Sequence, residues 1–358
     1  MPPEPIPTIV VTGSHADAGR RIGRARRDVI RDEVAFDDRI PAGRTRDEQL
    51  ELAAQYREVT AGAYPWYLEE LDAMADAAGV DPLAAFACMI EEIWYEPYGA
   101  RLTGRCTDVV AVPPATEDGR VLVGHNNDMP RSYQDQLIGI EWRVDAEPPA
   151  FTIGNGMWIS AGWNDTGLSM TGNELAPLDE RVGVPREVQF RAMLRAPSLE
   201  VAMGESLRHD RASSYNQVLV SADGSVVDVE GSATDADFIE PDERGHLVHT
   251  NHYVCDRMLP FEGDPDYAKR SAVRFERART LLAEQPPSSI NEITLRTVLS
   301  DHEGAPDSIC RHPEPGVADA SKTVFWCIAD VTDGRILFGR GNPCDSVAQD
   351  YAFAPYAA

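Results

Sequence analysis

The spacing of apolar residues divides the chain into two parts with different periodicities. Over residues 14–95, apolar side chains recur at intervals of three and four, which is typical of helices that pack by one face. Ser14 is placed to cap the first helix, Gly79 to end a second and Asp81 to cap a third. The pattern therefore predicts a helical leader over residues 1–105, with no strand in it.

In the rest of the chain, apolar residues alternate with polar ones, and short turns separate the alternating runs. This pattern predicts four β-hairpins, at residues 109–123, 158–171, 217–230 and 323–338. Helices are predicted between them, at residues 186–195, 198–208, 270–284 and 291–301, the first two capped by Pro185 and Ser198. Hairpins separated by blocks of helix predict an α+β fold with antiparallel sheets covered by helices. The glycine-rich motifs of nucleotide-binding folds do not occur in the sequence.

The composition narrows the class of protein further. With 358 residues, 43% hydrophobic and 26% charged, the chain is expected to form one large globular domain or two ordinary ones. Its formal net charge of −26 disfavours nucleic acids and acidic membrane surfaces as partners. No apolar run approaches the roughly 20 residues that a membrane span needs, and the first residues lack the pattern of a secretory signal. We therefore expect a cytoplasmic protein.

Cys106 is the main candidate for chemistry. Six cysteines occur and none lies in a CxxC pair, so we expect neither a disulfide framework nor a bound metal. Cys106 opens the first strand after the leader, and self-cleavage before it would give one residue both a thiol nucleophile and an α-amine base. One alternative is an inert buried cysteine. Another is an intact enzyme that uses His125 or His302 as its base.

Polar clusters at strand ends supply candidate partners for the thiol. The first hairpin folds back on itself and should return Asn126 and Asp128 to the neighbourhood of Cys106. Asn173 and Glu174 follow a glycine at the end of another strand, where the backbone can approach a neighbour closely. In the alternative interpretation, both clusters are polar turns without a role in chemistry.

A third cluster contains Asn251, whose amide can donate a hydrogen bond to an oxyanion. The flanking His249 and His252, with Cys255, offer an alternative, a metal-dependent hydrolase. Because side chains alternate along a strand, the two histidines would point to opposite faces unless the segment turns. The sequence therefore favours Asn251 as the useful residue of this cluster.

Together these motifs resemble a known family, and their order and spacing along most of the chain carry the resemblance. The family is that of acyl-coenzyme A:6-aminopenicillanic-acid acyltransferase (isopenicillin-N acyltransferase), a branch of the N-terminal-nucleophile hydrolases related to choloylglycine hydrolases. The motifs are Cys106-Thr107, Gly124-His125-Asn126-Asn127-Asp128, Gly172-Asn173-Glu174-Leu175, His249-Thr250-Asn251-His252, Leu299-Ser300-Asp301-His302, Ser308-Ile309-Cys310-Arg311 and Gly341-Asn342-Pro343-Cys344.

The resemblance implies a four-layer αββα sandwich and a proenzyme that cuts itself between Arg105 and Cys106. The helical leader, residues 1–105, and the catalytic part, residues 106–358, would form one structural domain whose two fragments stay associated. Family members often carry glycine before the cysteine, whereas this chain has Arg105 there. Glycine tolerates a strained backbone at a cleavage site more easily than arginine does.

The resemblance also implies roles for individual residues. Cys106 matches the nucleophile, Asp128 the aspartate beside it and Asn251 the asparagine of the oxyanion hole. Arg311 matches an arginine in a late segment that lies near the nucleophile. The implied supporting or substrate-binding residues are Thr107, Asn126, Asn173, Glu174 and Ser308.

The expected activity is cleavage or transfer of an acyl group at a small-molecule amide, through a thioester on Cys106. No cofactor is expected, and acyl-CoA is a co-substrate only in the alternative of an N-acyltransferase of secondary metabolism. The acidic chain favours a neutral or cationic amide, because coenzyme A thioesters are polyanions. The non-enzymatic alternative is an uncleaved relative that binds a ligand in the same cleft.

Overall fold

The computed structural model describes residues 3–94 and 105–353. Along the chain, the helices and strands are β1 (Thr8–Gly13), α1 (His15–Ala25), α2 (Arg27–Val34), α3 (Arg46–Ala63), α4 (Pro65–Ala78), α5 (Pro82–Cys88), β2 (Arg105–Ala111), β3 (Leu122–Pro130), β4 (Ile138–Val144), β5 (Ala150–Gly154), β6 (Ile159–Asn164), β7 (Leu168–Asn173), α6 (Arg186–Met193), α7 (Leu199–Ser206), β8 (Asn216–Ser221), β9 (Val226–Gly231), β10 (Ala236–Ile239), β11 (His246–His249), α8 (Pro265–Ala283), α9 (Glu292–Leu299), β12 (Ser321–Asp330), β13 (Arg335–Arg340) and β14 (Gln349–Ala352). Within these two ranges, every helix is too short or too polar to cross a membrane.

The strands of the described ranges form two sheets. The first sheet has the order β1-β4-β5-β6-β7-β8-β9-β10, and the second has the order β11-β2-β3-β12-β13-β14. Neighbouring strands are antiparallel except β1 and β4, which are parallel. The four predicted hairpins are confirmed as the pairs β2–β3, β6–β7, β8–β9 and β12–β13.

Three apolar cores separate four layers. Helices α1 to α7 share the first core with the outer face of the first sheet, where Ile22 packs with residues such as Met170. The inner faces of the two sheets share the second core, which contains Phe151 and Phe325. Helices α8 and α9 share the third core with the outer face of the second sheet, through residues such as Leu299. The αββα sandwich that the resemblance implies is confirmed.

Local capping signals set the ends of several helices as predicted. The side chains of Ser14 and Asp81 accept hydrogen bonds from the first turns of α1 and α5. Gly79 ends α4 in the left-handed conformation, with φ 75°. Pro185 and Ser198 precede α6 and α7, as expected from the sequence. These boundaries need only a few neighbouring residues, so the sequence is sufficient to place them.

The prediction of a leader without strands is wrong. Strand β1 pairs in parallel with β4, from Thr8 opposite Gly139 to Gly13 opposite Val144. Residues 9–12 are all β-branched, which favours extended backbone once a partner strand is available. That partner lies far along the chain, so the strand forms through tertiary contact that helical spacing in the leader does not reveal.

Glycines allow α1 and α4 of the leader to pack unusually closely. A Cβ atom on Gly19 would lie 1.9 Å from the carbonyl oxygen of Glu70, and one on Gly23 would lie 2.2 Å from that of Met74. The Glu70 carboxylate also accepts hydrogen bonds at 3.1 and 2.9 Å from the buried Arg191 guanidinium of α6. The leader is therefore bound to the remainder of the chain by a buried ion pair as well as by its apolar core.

We expect Gly19→Ala to destabilise the protein, because the added methyl group would collide with the backbone of α4. Overpacking of this kind costs about 1–3 kcal/mol. Thermal unfolding followed by circular dichroism should show a lower Tm. The control is Gly62→Ala in α3, where nothing lies within 4 Å of the added atom, and its Tm should not fall. Equal Tm values for the two variants would contradict the close packing of α1 on α4.

Candidate active site

The pairing of β2 with β3 places Cys106 on the inner face of the second sheet. Cys106 lies opposite Asn127, and Asp108 lies opposite His125. Because side chains alternate along a strand, these four residues share the face that continues into the apolar core between the sheets, at Val110. All four are buried. The thiol therefore faces the space between the two sheets at the start of β2.

Three polar side chains converge on Cys106. The Cys106 backbone N–H donates to Oδ1 of Asn251 at 2.7 Å, and Nδ2 of Asn127 donates to the Cys106 sulfur at 3.4 Å. The Arg274 guanidinium donates to the Cys106 carbonyl oxygen. The amide nitrogen, the sulfur and the carbonyl of this residue each have a polar partner, an arrangement that holds the thiol in a fixed position.

Asn251 is itself fixed from several sides. Its Oδ1 also accepts from Nη2 of Arg274 at 3.0 Å, and its Nδ2 donates to the Glu174 carbonyl oxygen at 3.0 Å. Its backbone N–H donates to Oγ of Ser271 at 2.7 Å. The structure thus brings Asn251 and Glu174 to Cys106. The oxyanion role of Asn251 stays a prediction, since in this state its Nδ2 is engaged with Glu174.

A buried histidine–aspartate pair lies next to the thiol on the same face. Nδ1 of His125 and Oδ1 of Asp108 are 2.9 Å apart, and both side chains are fully buried. Burial lowers the pKa of His125, but the Asp108 carboxylate and the Cys106 thiol outweigh this effect and raise it to about 10. This shift favours the protonated, imidazolium form of His125 at neutral pH.

A second buried ion pair continues the polar network away from the thiol. The His249 ring nitrogens face Oδ1 of Asn173 at 2.9 Å and Oε1 of Glu230 at 2.7 Å. Burial lowers the pKa of His249, but the carboxylates of Asp228 and Glu230 raise it above its usual value. Burial raises the pKa of Asp228 to about 7. Both ring nitrogens of His249 are engaged with side-chain oxygens of the core, so the geometry disfavours the metal-dependent hydrolase at this position.

Asp128 and Asn126 lie on the outer face of β3. Oδ1 of Asp128 accepts from the Thr323 hydroxyl at 2.7 Å, and the residue is paired across the sheet with Arg105. Nδ2 of Asn126 donates to the carbonyl oxygens of Leu299 and Ile309, at 2.8 and 2.9 Å. Asn126 therefore anchors the segment after α9, whereas Asp128 lies across from the residue that precedes the cysteine.

The remaining predicted site residues each have hydrogen-bond partners of their own. The Thr107 hydroxyl accepts from Arg274 at 3.0 Å, and Oε1 of Glu174 accepts from Arg186. Arg311 contacts the Ser321 carbonyl, Glu314 and Asp307, on the outer side of the second sheet. The Ser308 hydroxyl donates to the Cys310 carbonyl at 2.8 Å. The roles predicted for Arg311 and Ser308 stay predictions, and these contacts belong to the segment before β12.

The predicted cleavage site is only partly described. The backbone of Arg105 begins β2 and pairs with Asp128. Gly104, which precedes it in the motif, lies outside the described residues.

Sequence reasoning missed two residues that contact Cys106. Asn127 lies directly opposite the cysteine. Because side chains alternate between the two faces of β3, Asn127 shares the face of Cys106, whereas its neighbours Asn126 and Asp128 do not. Arg274 lies one helical turn after Ser271 on α8, and both contact Asn251. A nearly fully buried arginine on an amphipathic helix is unusual, but its target, a strand far along the chain, is not visible in the sequence.

Comparison with known proteins decides the family. The sequence matches the family described as acyl-coenzyme A:6-aminopenicillanic acid acyl-transferase over residues 115–345, which is more than half of the chain. The chain belongs to this family. The family resemblance inferred from the motifs is therefore confirmed. The match begins after Cys106, so the assignment of that residue depends on the geometry above.

The chain is similar over part of its length to several solved structures. A variant of the conjugated bile acid hydrolase from Clostridium perfringens is 12% identical, covers 69% of this chain and 97% of its own, and has a TM-score of 0.48. An N-acylethanolamine-hydrolyzing acid amidase orthologue from Caenorhabditis elegans is 16% identical, with coverages of 63% and 93% and a TM-score of 0.44. Penicillin V acylase from Agrobacterium tumefaciens is 15% identical, with coverages of 66% and 83% and a TM-score of 0.38. No curated protein matches the sequence.

We expect the protein to lose stability at alkaline pH as buried His125 loses its proton. Its pKa rises from 6.5 to about 10 on folding, so protonated His125 stabilises the fold below pH 6.5 and this contribution disappears as the pH rises through 10. In Asp108→Asn the carboxylate that raises the pKa is absent, so Tm should fall less steeply across this window. Exposed His209 provides the control, since His209→Asn should keep the wild-type slope. Identical slopes for Asp108→Asn and the wild type would contradict a charged pair.

Proposed function

We propose that this protein is a self-processing amidohydrolase or acyltransferase whose nucleophile is Cys106, released as a new N-terminus. The observation that carries the proposal is the convergence of Asn251, Asn127 and Arg274 on a thiol at the start of the first strand of the second sheet. These contacts fix the backbone amide, the sulfur and the carbonyl oxygen of one cysteine in position. An isolated core cysteine needs none of them.

Self-processing would start from the intact peptide bond between Arg105 and Cys106. The Cys106 thiol attacks the Arg105 carbonyl carbon, the C–N bond breaks, and the amide nitrogen takes up a proton to become an amine. The product is a thioester between Arg105 and the Cys106 sulfur, and water hydrolyses it to a carboxylate and a free thiol. The hydrogen bond from the Cys106 N–H to Asn251 orients the scissile amide, and Asp128 lies across from Arg105.

The α-amine that cleavage releases on Cys106 is the proposed general base. An α-amine has a pKa of roughly 7.7–8, close to working pH, and lies on the same residue as the thiol. Asn251, which accepts a hydrogen bond from this nitrogen in the intact chain, is the proposed partner of the amine, and Asp128 is the proposed nearby negative charge. Thiolate attack on a substrate carbonyl gives a tetrahedral oxyanion, for which Asn251 is the proposed side-chain donor together with a backbone N–H. Loss of one such donor typically costs roughly 100–1000-fold in rate.

The acyl group on Cys106 then passes to water or to an amine. The net charge of −26 supports a neutral or cationic amide as substrate and hydrolysis as the outcome, because an acidic surface repels polyanionic acyl-CoA. The family description, acyl-CoA-dependent transfer to an aminopenicillanic acid, supports the alternative of acyl-CoA as co-substrate. Neither route requires a cofactor at Cys106.

The proposal is tested by the mass of the denatured protein. The wild type should give two species, residues 1–105 and residues 106–358, because the thiol is next to the scissile bond. Cys106→Ala should give one uncut species and no amidase activity, whereas Cys88→Ala, a cysteine of the leader, should be cut like the wild type. A Cys106→Ala protein that is cut and active would contradict the mechanism.

The His125–Asp108 pair favours a second candidate function, a cysteine enzyme that acts as an intact chain. Among the described residues, no polar atom completes a hydrogen bond to Nε2 of His125, so this nitrogen is the one available to the neighbouring thiol of Cys106. With Asp108 on the other ring nitrogen, the three residues have the order of a thiolate–imidazolium–carboxylate system. Such a system needs no α-amine.

The rate at which iodoacetamide alkylates Cys106 separates the two candidates without a known substrate. If the His125 imidazolium stabilises the Cys106 thiolate, His125→Asn should slow alkylation at neutral pH by about tenfold or more, because a smaller fraction of Cys106 is then thiolate. If the α-amine is the base, the variant and the wild type should react at similar rates. The exposed His209→Asn is the matched control, and peptide mass mapping identifies the labelled cysteine. A thiol that is inert in an uncut wild type would instead support the binding-protein alternative.

A further inference from the structure

Four metal-ligating side chains meet at a point that the proposed reaction does not use. They are His302, Cys310, His312 and Cys344, and one ligand atom from each lies within 4.8 Å of all the others. Cys310 is buried, while the other three are exposed at the rim of the group. We name this group the His–Cys cluster.

Four of the six distances between ligand atoms of the cluster are close to the edges of a tetrahedron around one zinc ion, and the other two are within 4.8 Å. With Zn–S near 2.3 Å and Zn–N near 2.05 Å, a tetrahedral site has edges of about 3.8 Å (S to S), about 3.6 Å (S to N) and about 3.3 Å (N to N). The Cys310 and Cys344 sulfurs are 3.7 Å apart, and Nε2 of His302 and Nε2 of His312 are 3.1 Å apart. Nε2 of His312 lies 3.5 Å from the Cys344 sulfur and 3.9 Å from the Cys310 sulfur.

One of the two sulfurs has a hydrogen-bond donor fixed beside it. Nδ2 of Asn342 donates to the Cys310 sulfur at 3.3 Å and to the Arg311 carbonyl at 2.7 Å, which fixes the amide toward the sulfur. A fixed donor beside a ligating sulfur is the kind of outer contact that orients and tunes a metal site.

We propose that the His–Cys cluster binds one structural Zn²⁺ ion. Two imidazoles and two thiolates are ligands that zinc prefers, and the protein supplies all four positions. A site without an open position holds structure together and does not activate water. Binding releases the two thiol protons and leaves a neutral complex of Zn²⁺ with two thiolates.

The position of the cluster indicates what the ion would stabilise. Three ligands come from the segment between α9 and β12, and Cys344 comes from the turn after β13, so the ion would cross-link two separate parts of the chain. The first segment also carries the Ile309 carbonyl that accepts from Asn126 of β3. Zinc would therefore support the outer side of the strand that pairs with β2, and its removal should lower stability more than it alters chemistry at Cys106.

Metal analysis of the purified, tag-free and reduced protein tests this proposal. We expect about one zinc per chain, and the same content in Cys106→Ala, so that the outcome does not depend on the proposed catalytic function. Cys344→Ser removes an exposed ligand, so this variant should contain no zinc and have a lower Tm. Cys255 lies outside the cluster, so Cys255→Ser should have the zinc content and the Tm of the wild type. Loading with Co²⁺ alone should give the strong visible absorption of a tetrahedral thiolate site in the wild type and not in Cys344→Ser.

Three results would overturn the proposal. The first is substoichiometric zinc in the wild type after incubation with zinc salt and desalting. The second is an equal zinc content in Cys344→Ser and the wild type. The third is a Cys310–Cys344 disulfide in the protein as isolated, detected by peptide mass mapping without reduction, because oxidised sulfurs cannot be thiolate ligands.

Discussion

The register between β2 and β3 is the constraint on which the site depends. With Cys106 opposite Asn127, the pleat turns Cys106, Asp108 and His125 toward the space between the two sheets. A slip of one residue would turn all of them to the outer face and bring Thr107 inward. The register is strongly specified, because the same alternation buries Val110 and the other apolar residues of the hairpin in the core between the sheets. Apolar packing thus fixes the direction of the thiol.

Placing ionisable groups between two sheets requires that each has a partner, since an unpaired buried charge is strongly destabilising. Two such pairs lie here, Asp108 with His125 near the thiol and Glu230 with His249 beyond it. Asn127 joins the two sheets at this point, because its Nδ2 donates to the Cys106 sulfur and to the Ser160 hydroxyl of β6. The thiol, its neighbours and the first sheet therefore form one connected polar region inside an apolar sandwich.

The sequence predicts those parts of the structure whose cause is local. Ser14 and Gly79 end helices through their own hydrogen bonds and dihedral angles, and four hairpins follow from alternation and turn residues. Strand β1 is not predictable in this way, because its partner β4 lies far along the chain and the residues of the leader carry no signal of it. Within the site, Asn251 was selected for its chemistry and does lie at Cys106. Arg274 reaches the same residue from α8, which only the packing of that helix on the second sheet brings about.

A reagent specific for a 1,2-aminothiol, such as a cyanobenzothiazole, tests most directly whether Cys106 acts as an N-terminal nucleophile. Only an N-terminal cysteine, with a free amine beside its thiol, forms the stable cyclic product. The account predicts one label per chain, located by peptide mapping on the peptide that begins at Cys106. A protein whose Cys106 is alkylated by iodoacetamide but takes up no aminothiol label would contradict it, because the thiol would then be reactive in an uncut chain.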